Sequence, residues 1–217
     1  MKERSKMNNI LILDTSYMTA FSVLLVSDGY FESLSFGSSE VKFTAVWRVI
    51  DLVFSSFGIS KDDITTVAVS KGPGPFSSVR TGMTITKTLH EIKRIPVITF
   101  SVFDVLSNQF KNSYFFVDGR ARKFIVGSSS SKVRIIRDSE LEEFIKKEKE
   151  TNEDTQFVSI NCQYIIADLV KGGFISEDTY GNFVFYDVLQ PSWIKDFVFK
   201  KIESRDFDDM IDPLYIS

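Results

Sequence analysis

The chain carries one cysteine, Cys162, and one histidine, His90. A lone thiol excludes an internal disulfide and any multi-cysteine zinc cluster. It suits a reducing compartment, so the sequence predicts a cytoplasmic protein. Cys162 itself reads as a small buried residue. A lone imidazole excludes every metal site built on two histidines, and a Ser-His-Asp triad would have to use His90. His90 falls mid-helix between Leu89 and Glu91 with no nucleophile motif beside it, which favours packing or an interface. Long apolar runs are missing too. The run near the start, Ile10 to Leu13, stops at Asp14 and is too short for a signal-peptide core or a membrane span. Residues 1–8 read as a polar lead-in to a buried strand. No sign of charge dominates: 26 basic residues face 29 acidic ones, interspersed, for a net charge of −3. That gives no electrostatic case for direct nucleic-acid binding by this chain alone.

What is present is an apolar supply, 43% of 217 residues, enough for the core of one large domain or two small ones. Periodicity predicts strands over 9–14, 18–27 and 30–36, the last two joined by a hairpin turn at Asp28-Gly29. Tyr30, Glu32, Leu34 and Phe36 share one face of the third strand. A helix over 40–57 ends at Gly58. A strand over 65–70, a helix over 77–93, a strand over 95–100 and a short helix from Ser101 follow, the last with Asp104 completing a capping box. The second half repeats that order. It has strands over 113–118, 123–128 and 132–137 and a helix over 139–150 capped by Ser139 and Glu142. A strand over 155–160, a helix over 162–171, a strand over 183–188 and a helix from Pro191 to about 203 complete it. Both halves therefore read βββαβαβα, and each opening strand ends in an aspartate, Asp14 or Asp118. The pattern is that of an α/β protein and resembles the actin-like ATPase superfamily, built from two ribonuclease-H-like lobes; the resemblance implies lobes over 1–110 and 111–217, meeting near 109–112.

Three segments carry chemical signals. The segment from Lys71 to Met83 joins a strand to a helix through Gly72-Pro73-Gly74-Pro75, with Ser77 placed to cap the helix. Such a join often receives phosphate. Here it lacks the P-loop spacing, and Pro73 and Pro75 remove two N–H donors, so a stiff loop that aims the helix is the better reading. Asp14-Thr15-Ser16 reads either as part of a metal–nucleotide site or as a plain turn. Asp118-Gly119-Arg120-Ala121-Arg122 is its counterpart in the second half. Its arginines either meet an acidic partner or end a solvated hairpin.

The first helix has its own message. Thr44, Arg48, Asp51 and Ser55 form one polar stripe, and about two-thirds of the circumference is apolar, so the helix should be covered twice. Its own sheet is one cover. The other is a neighbouring helix or a partner subunit, with deep core packing as the alternative. The neighbour is the helix after the glycine loop, where Val79, Gly82, Met83, Thr86 and Leu89 or His90 fall at helical spacing and Gly82 permits close approach. Phe43, Trp47, Ile50, Phe54, Val79, Met83, Thr86 and His90 are the candidate interface residues.

The run from Gly72 to Gly82 resembles the G-P-G-S-F-T-G-L-R-I-G signature of the TsaB (YeaZ) family. Ile12-Leu13-Asp14-Thr15-Ser16 resembles its opening L-A-L-D-T-S, Asp118-Gly119-Arg120 its D-A-R, and Asp212-Pro213-Leu214-Tyr215-Ile216 its terminal P-x-Y-L. The matches keep the right order from residue 9 to the end. They are strong in the first half and confined to the ends of the second. The resemblance implies an actin-like fold without catalysis of its own. It implies pairing with TsaD, which moves a threonylcarbamoyl group onto the adenosine next to the anticodon in certain tRNAs, and recruitment of the small ATPase TsaE. Contact with tRNA would be indirect, through the complex. A homodimer would be possible in the partner's absence, with no membrane association. TsaD holds metal with H-x-x-x-H on the first helix, where this chain reads Phe43-Thr44-Ala45-Val46-Trp47-Arg48. The resemblance thus implies no catalytic residue, metal or cofactor here. The chain departs from the family at Ser38-Ser39-Glu40, at Pro75 and Ser78 in the loop, and at Gly119. The rival is an active actin-like ATP-dependent kinase or ATPase using Asp14 and Asp118, and a peptidase is a further one.

Overall fold

The computed structural model describes residues 9–17, 20–27, 30–37, 43–129, 133–208 and 211–214. The hairpin turn at Asp28-Gly29, Ser38-Ser39-Glu40, the side chain of Phe43, Tyr215 and Ile216 lie outside the described residues.

By internal contact the chain divides into two units, Met1–Val102 with Gln190–Leu214, and Phe103–Leu189 with the terminal 215–217. The first unit is built on a five-stranded sheet. Its strands are β1 (Ile10–Asp14), β2 (Ala20–Ser27), β3 (Tyr30–Gly37), β4 (Thr66–Ser70) and β5 (Val97–Phe100). They lie in the order β3-β2-β1-β4-β5. β1 pairs antiparallel with β2 and parallel with β4. β1 and β4 are buried along their whole length, which is why both read as unbroken apolar runs rather than alternating ones. β3 is the edge, and Tyr30, Glu32, Leu34 and Phe36 share one face as the alternation requires, opposite Ser27, Leu25, Val23 and Phe21. Helices α1 (Phe43–Phe57) and α2 (Phe76–Lys93) cover that face. Their inner residues Val46, Val49, Ile50, Val53, Val79, Met83 and Ile85 form one core with Leu11, Leu13, Val67 and Val69 of the sheet.

The second unit repeats the plan. Strands β6 (Ser113–Asp118), β7 (Lys123–Ser128), β8 (Arg134–Arg137), β9 (Gln156–Ile160) and β10 (Phe183–Tyr186) lie in the order β10-β9-β6-β7-β8, the same topology read from the other edge. Its core is aromatic: Phe116 sits edge-on to Phe124, Phe144, Phe157 and Phe183. Helices α4 (Asp138–Thr151) and α5 (Gln163–Lys171) pack there, and Cys162 is buried among them. A short helix α6 (Glu177–Gly181) was not foreseen, although Ser176 caps it by accepting the Thr179 N–H at 3.1 Å.

Two helices change places relative to the sequence repeat. Helix α3 (Val102–Gln109) follows β5, yet from Phe103 on it belongs to the second unit, where the Phe103 ring stacks on Phe115 at 6.4 Å. Helix α7 (Pro191–Glu203) follows β10, yet it packs on β2 and β5 of the first unit, burying Ile194 and Val198. The lobes read as 1–110 and 111–217 thus exchange one helix each. An amphipathic helix shows which face it buries but not against which sheet.

Candidate functional site

The glycine loop and the turn after β1 meet. Asp14, Thr15, Ser16 and Tyr17 are all fully buried, and so is Ser70 at the end of β4. Asp14 Oδ1 accepts the Ser16 N–H at 3.1 Å, and the Ser16 and Ser70 hydroxyls bond each other. The Gly72 N–H donates to Ser70 Oγ at 3.3 Å. Gly74 lies against the Ser16 carbonyl so closely that a β-carbon on it would stand 1.9 Å from that oxygen. Gly82 brings α2 down in the same way, with a β-carbon there 2.6 Å from Thr15 Oγ1. Gly82 therefore serves closeness to the β1 turn, not to α1 as its helical position suggested.

The loop is held from outside as well. Lys71 N–H donates to Phe100 O at 2.8 Å, Val102 N–H to Gly72 O at 2.9 Å, and Leu214 N–H to Lys71 O at 2.8 Å. The Leu214 contact places one residue of the terminal D-P-L-Y-I run against the loop, a pairing that no local sequence signal announces. Helix α2 opens at Phe76 after Pro75, with no side-chain cap; Ser77 is exposed and does not cap it.

The electrostatics of this turn oppose a charged ligand. Burial pushes the Asp14 carboxyl above its usual range, against the hydroxyls of Tyr17, Ser16 and Ser70 that draw it down. Asp14 Oδ2, Thr15 Oγ1 and Thr86 Oγ1 are buried without a hydrogen-bond partner. A metal–phosphate group needs an exposed, ionised carboxylate and free amide donors. Asp14 is sealed under the loop instead, so the residues present do not fit a nucleotide at this turn. Among the described residues, no cluster of three or more His, Cys, Asp or Glu side chains is arranged to hold a metal ion.

In the second unit the tip after β6 is open. Asp118 Oδ1 accepts the Arg120 N–H at 2.7 Å, and Arg120, Ala121 and Arg122 all take left-handed conformations with φ of 62°, 50° and 61°. Arg122 pairs with Asp138 and lies over the Phe174 ring at 4.7 Å, so Arg120 is the exposed guanidinium of the two that is not held by that carboxylate.

The helix pair corrects the interface expectation in detail. Ile50, Phe54, Val79, Met83 and Thr86 are buried within the first unit and present nothing to a partner. The second cover of α1 is α2, over the same sheet. Trp47 is half-buried with the Lys61 ammonium 5.7 Å above its ring. His90 is half-buried, and its Nδ1–H donates to Ile95 O at 2.8 Å, closing the chain after α2. The residues that α1 and α2 turn outward include Thr44, Arg48, Asp51, Leu52 and Ser55, and Phe76, Arg80, Thr84, Lys87, Glu91 and Ile92. The Arg80 guanidinium lies 4.4 Å from the Phe76 ring centre.

Two sheets of one topology, each with an aspartate at the end of its first strand and helices on the sheet, define an actin-like protein of two lobes. The model of the TsaD family, tRNA N6-adenosine threonylcarbamoyltransferase, matches residues 44–188, and the chain belongs to that family. The chain's relatives include proteins of the TsaB/YeaZ type. It is 27% identical over 108 residues to the tRNA threonylcarbamoyladenosine biosynthesis protein TsaB of Buchnera aphidicola subsp. Acyrthosiphon pisum. That match takes in 50% of this chain and spans about half the length of the relative, 49%. The fold is shared with YeaZ from Pseudomonas aeruginosa at a TM-score of 0.72 and 15% identity, covering 97% of this chain and 100% of that one. A second Pseudomonas aeruginosa structure, of a protein similar to the peptidase YeaZ, gives a TM-score of 0.71 at 13% identity with the same coverage.

Proposed function

We propose that this chain is a non-catalytic, cytoplasmic subunit of the machinery that makes threonylcarbamoyladenosine in tRNA, with catalysis in a TsaD-like partner. The observation that carries this is the seating of Gly74 on Ser16, which fills with backbone the turn where an actin-like ATPase would hold phosphate. Sealing Asp14 beneath it removes the carboxylate such an enzyme would use. The same observation weighs against an ATPase or kinase working through Asp14 and Asp118.

In this reading the outward ridge of α1 and α2 receives the partner. Trp47 supplies the amphipathic aromatic, and Asp51, Arg80 and Lys87 supply charges at its rim. A TsaE-like ATPase joins the pair, and tRNA is met through the complex.

The test is co-purification with a TsaD-like subunit, followed by calorimetry with ATP and magnesium. Trp47→Ala combined with Arg80→Glu should weaken the pairing by about tenfold or more at unchanged melting temperature. Robust magnesium-dependent ATP turnover by the isolated chain, or pairing unmoved by both substitutions, would overturn the proposal.

A further inference from the structure

The second unit has a cleft of about 260 Å³ at the amino edge of its sheet, where the parallel strands β6 and β9 begin. It is framed by the start of β6, the end of β7, the last turn of α4 and the residue before β9. Liquid water gives each molecule about 30 Å³, so the cleft has room for about nine waters or one short organic molecule.

The hydroxyl protons around this cleft are spent inside the protein. Ser113 Oγ donates to the Lys111 carbonyl at 2.7 Å and Thr151 Oγ1 to the Lys147 carbonyl at 3.0 Å. The Tyr114 hydroxyl donates to Glu148 Oε2 at 2.7 Å. Burial and the Glu148 charge push the Tyr114 hydroxyl above its usual range, so its proton stays in that bond. What these groups still offer is lone pairs.

Glu148 is held in place without being saturated. Arg134 reaches its other oxygen at 3.3 Å, and a carboxylate has about four acceptor sites. Helix α4 ends at the same wall and brings the negative pole of its dipole there. Among the described residues, none of those lining the cleft is cationic.

We propose that this cleft binds a small alkylammonium compound, a short diamine or polyamine, through Glu148, Thr151 and the carboxyl end of α4. The site lies wholly in the second unit, and the proposal does not rest on pairing with a TsaD-like subunit.

Complementarity selects this class. An ammonium group has three donors and no acceptor, the counterpart of a wall of lone pairs beside a carboxylate. A polyol needs donors for its own oxygens, and these three hydroxyls have none left to give. An anion meets a carboxylate and the wrong helix pole. A divalent metal ion needs several hard ligands, and no such cluster stands among the described residues. Tyr114, Thr151 and Thr155 bring carbon surface to the lining, which suits a short alkyl chain.

Isothermal titration calorimetry of the full chain with 1,4-diaminobutane at low salt tests this. The expected result is saturable binding of one equivalent with a Kd of ~0.1–1 mM, the range for a ligand of so few atoms. The isosteric 1,4-butanediol should not bind. Glu148→Gln should weaken the diamine by about tenfold or more. Because that variant also alters the contacts of Tyr114 and Arg134, Thr151→Lys is the second probe. Thr151 is exposed, and a lysine there carries the chain's own ammonium to the cleft, so diamine binding should be abolished with Glu148 intact. Circular dichroism checks that both variants are folded. No saturable binding up to ~10 mM, equal binding of the diol, or either variant binding as tightly as the parent would overturn the proposal.

Discussion

The backbone of Gly74 rests on the carbonyl of Ser16, with no room between them for a methyl group. Each residue ends an excursion from a buried parallel strand, β1 for Ser16 and β4 for Gly74. Their contact closes the carboxyl edge of the sheet, the place where open α/β sheets bind ligands.

Gly74→Ala should therefore be costly. The overlap is with backbone, which cannot swing aside, so destabilisation of about 3 kcal/mol is expected from forced displacement. For a chain of this size that is a fall of roughly 6–12 °C in melting temperature. Gly181→Ala is the control, since a β-carbon there meets nothing within 4 Å. Equal melting temperatures for both variants would show that the loop is not seated as described.

Asp14→Asn should stabilise the protein at neutral pH and less so in acid. Burial raises the folded-state pKa of Asp14 above 3.8, so the folded chain holds the proton more tightly than the unfolded one. That linkage favours folding at low pH and is lost as pH rises through the raised pKa. At neutral pH burying this carboxyl carries a cost that the uncharged amide avoids. Urea unfolding between about pH 4 and about pH 8 should show the advantage of the variant growing with pH.

Glu142→Gln should act in the opposite direction. Burial alone would raise the Glu142 pKa, but the Lys146 ammonium, the Ser176 N–H and the Thr179 and Ser176 hydroxyls outweigh it and bring the carboxyl to about 2. Its contribution is present above the ordinary value of 4.5 and is lost as pH falls toward about 2. The substitution should cost about 1 kcal/mol at neutral pH, and the difference from the parent should vanish in strong acid.

Cys162 should be inert while the protein is folded. Burial pushes its thiol up to about 12, helped by the nearby Asp118 charge and opposed by Ser159. The Sγ faces the Ile160 carbonyl at 3.3 Å. A disulfide reagent at about pH 8 should modify it at the rate of chain opening, accelerating with denaturant. Immediate full modification of the native chain would contradict this burial.

Much of this was legible in the sequence, and the reasons are local. Ile10 to Leu13 and Val67 to Val69 are short apolar runs bounded by polar residues, and such runs are strands buried on both faces. The period of two put Tyr30, Glu32, Leu34 and Phe36 on one face, as the register shows. Pro73 and Pro75 pointed to a stiff loop. What escaped was the identity of neighbours. The apolar girth of α1 implied two covers, but nothing in Ile50 or Phe54 distinguishes a partner subunit from α2. Met83 and Thr86 face the core for the same reason. Ser139 and Glu142 have capping-box spacing, yet the Arg137 N–H donates to Glu140, and Glu142 turns to Ser176, the cap of α6. Side-chain competition over three residues is settled by where the helix begins, which here is Asp138.

The exchange of α3 and α7 separates the unit of repetition from the unit of folding. Cutting the chain after residue 110 would leave the first sheet without the helix that covers β2 and β5, and would leave α7 attached to a piece in which it has no sheet of its own. Two such fragments expressed together would have to trade helices to fold. The visible repeat is thus a poor guide to where the polypeptide could be divided.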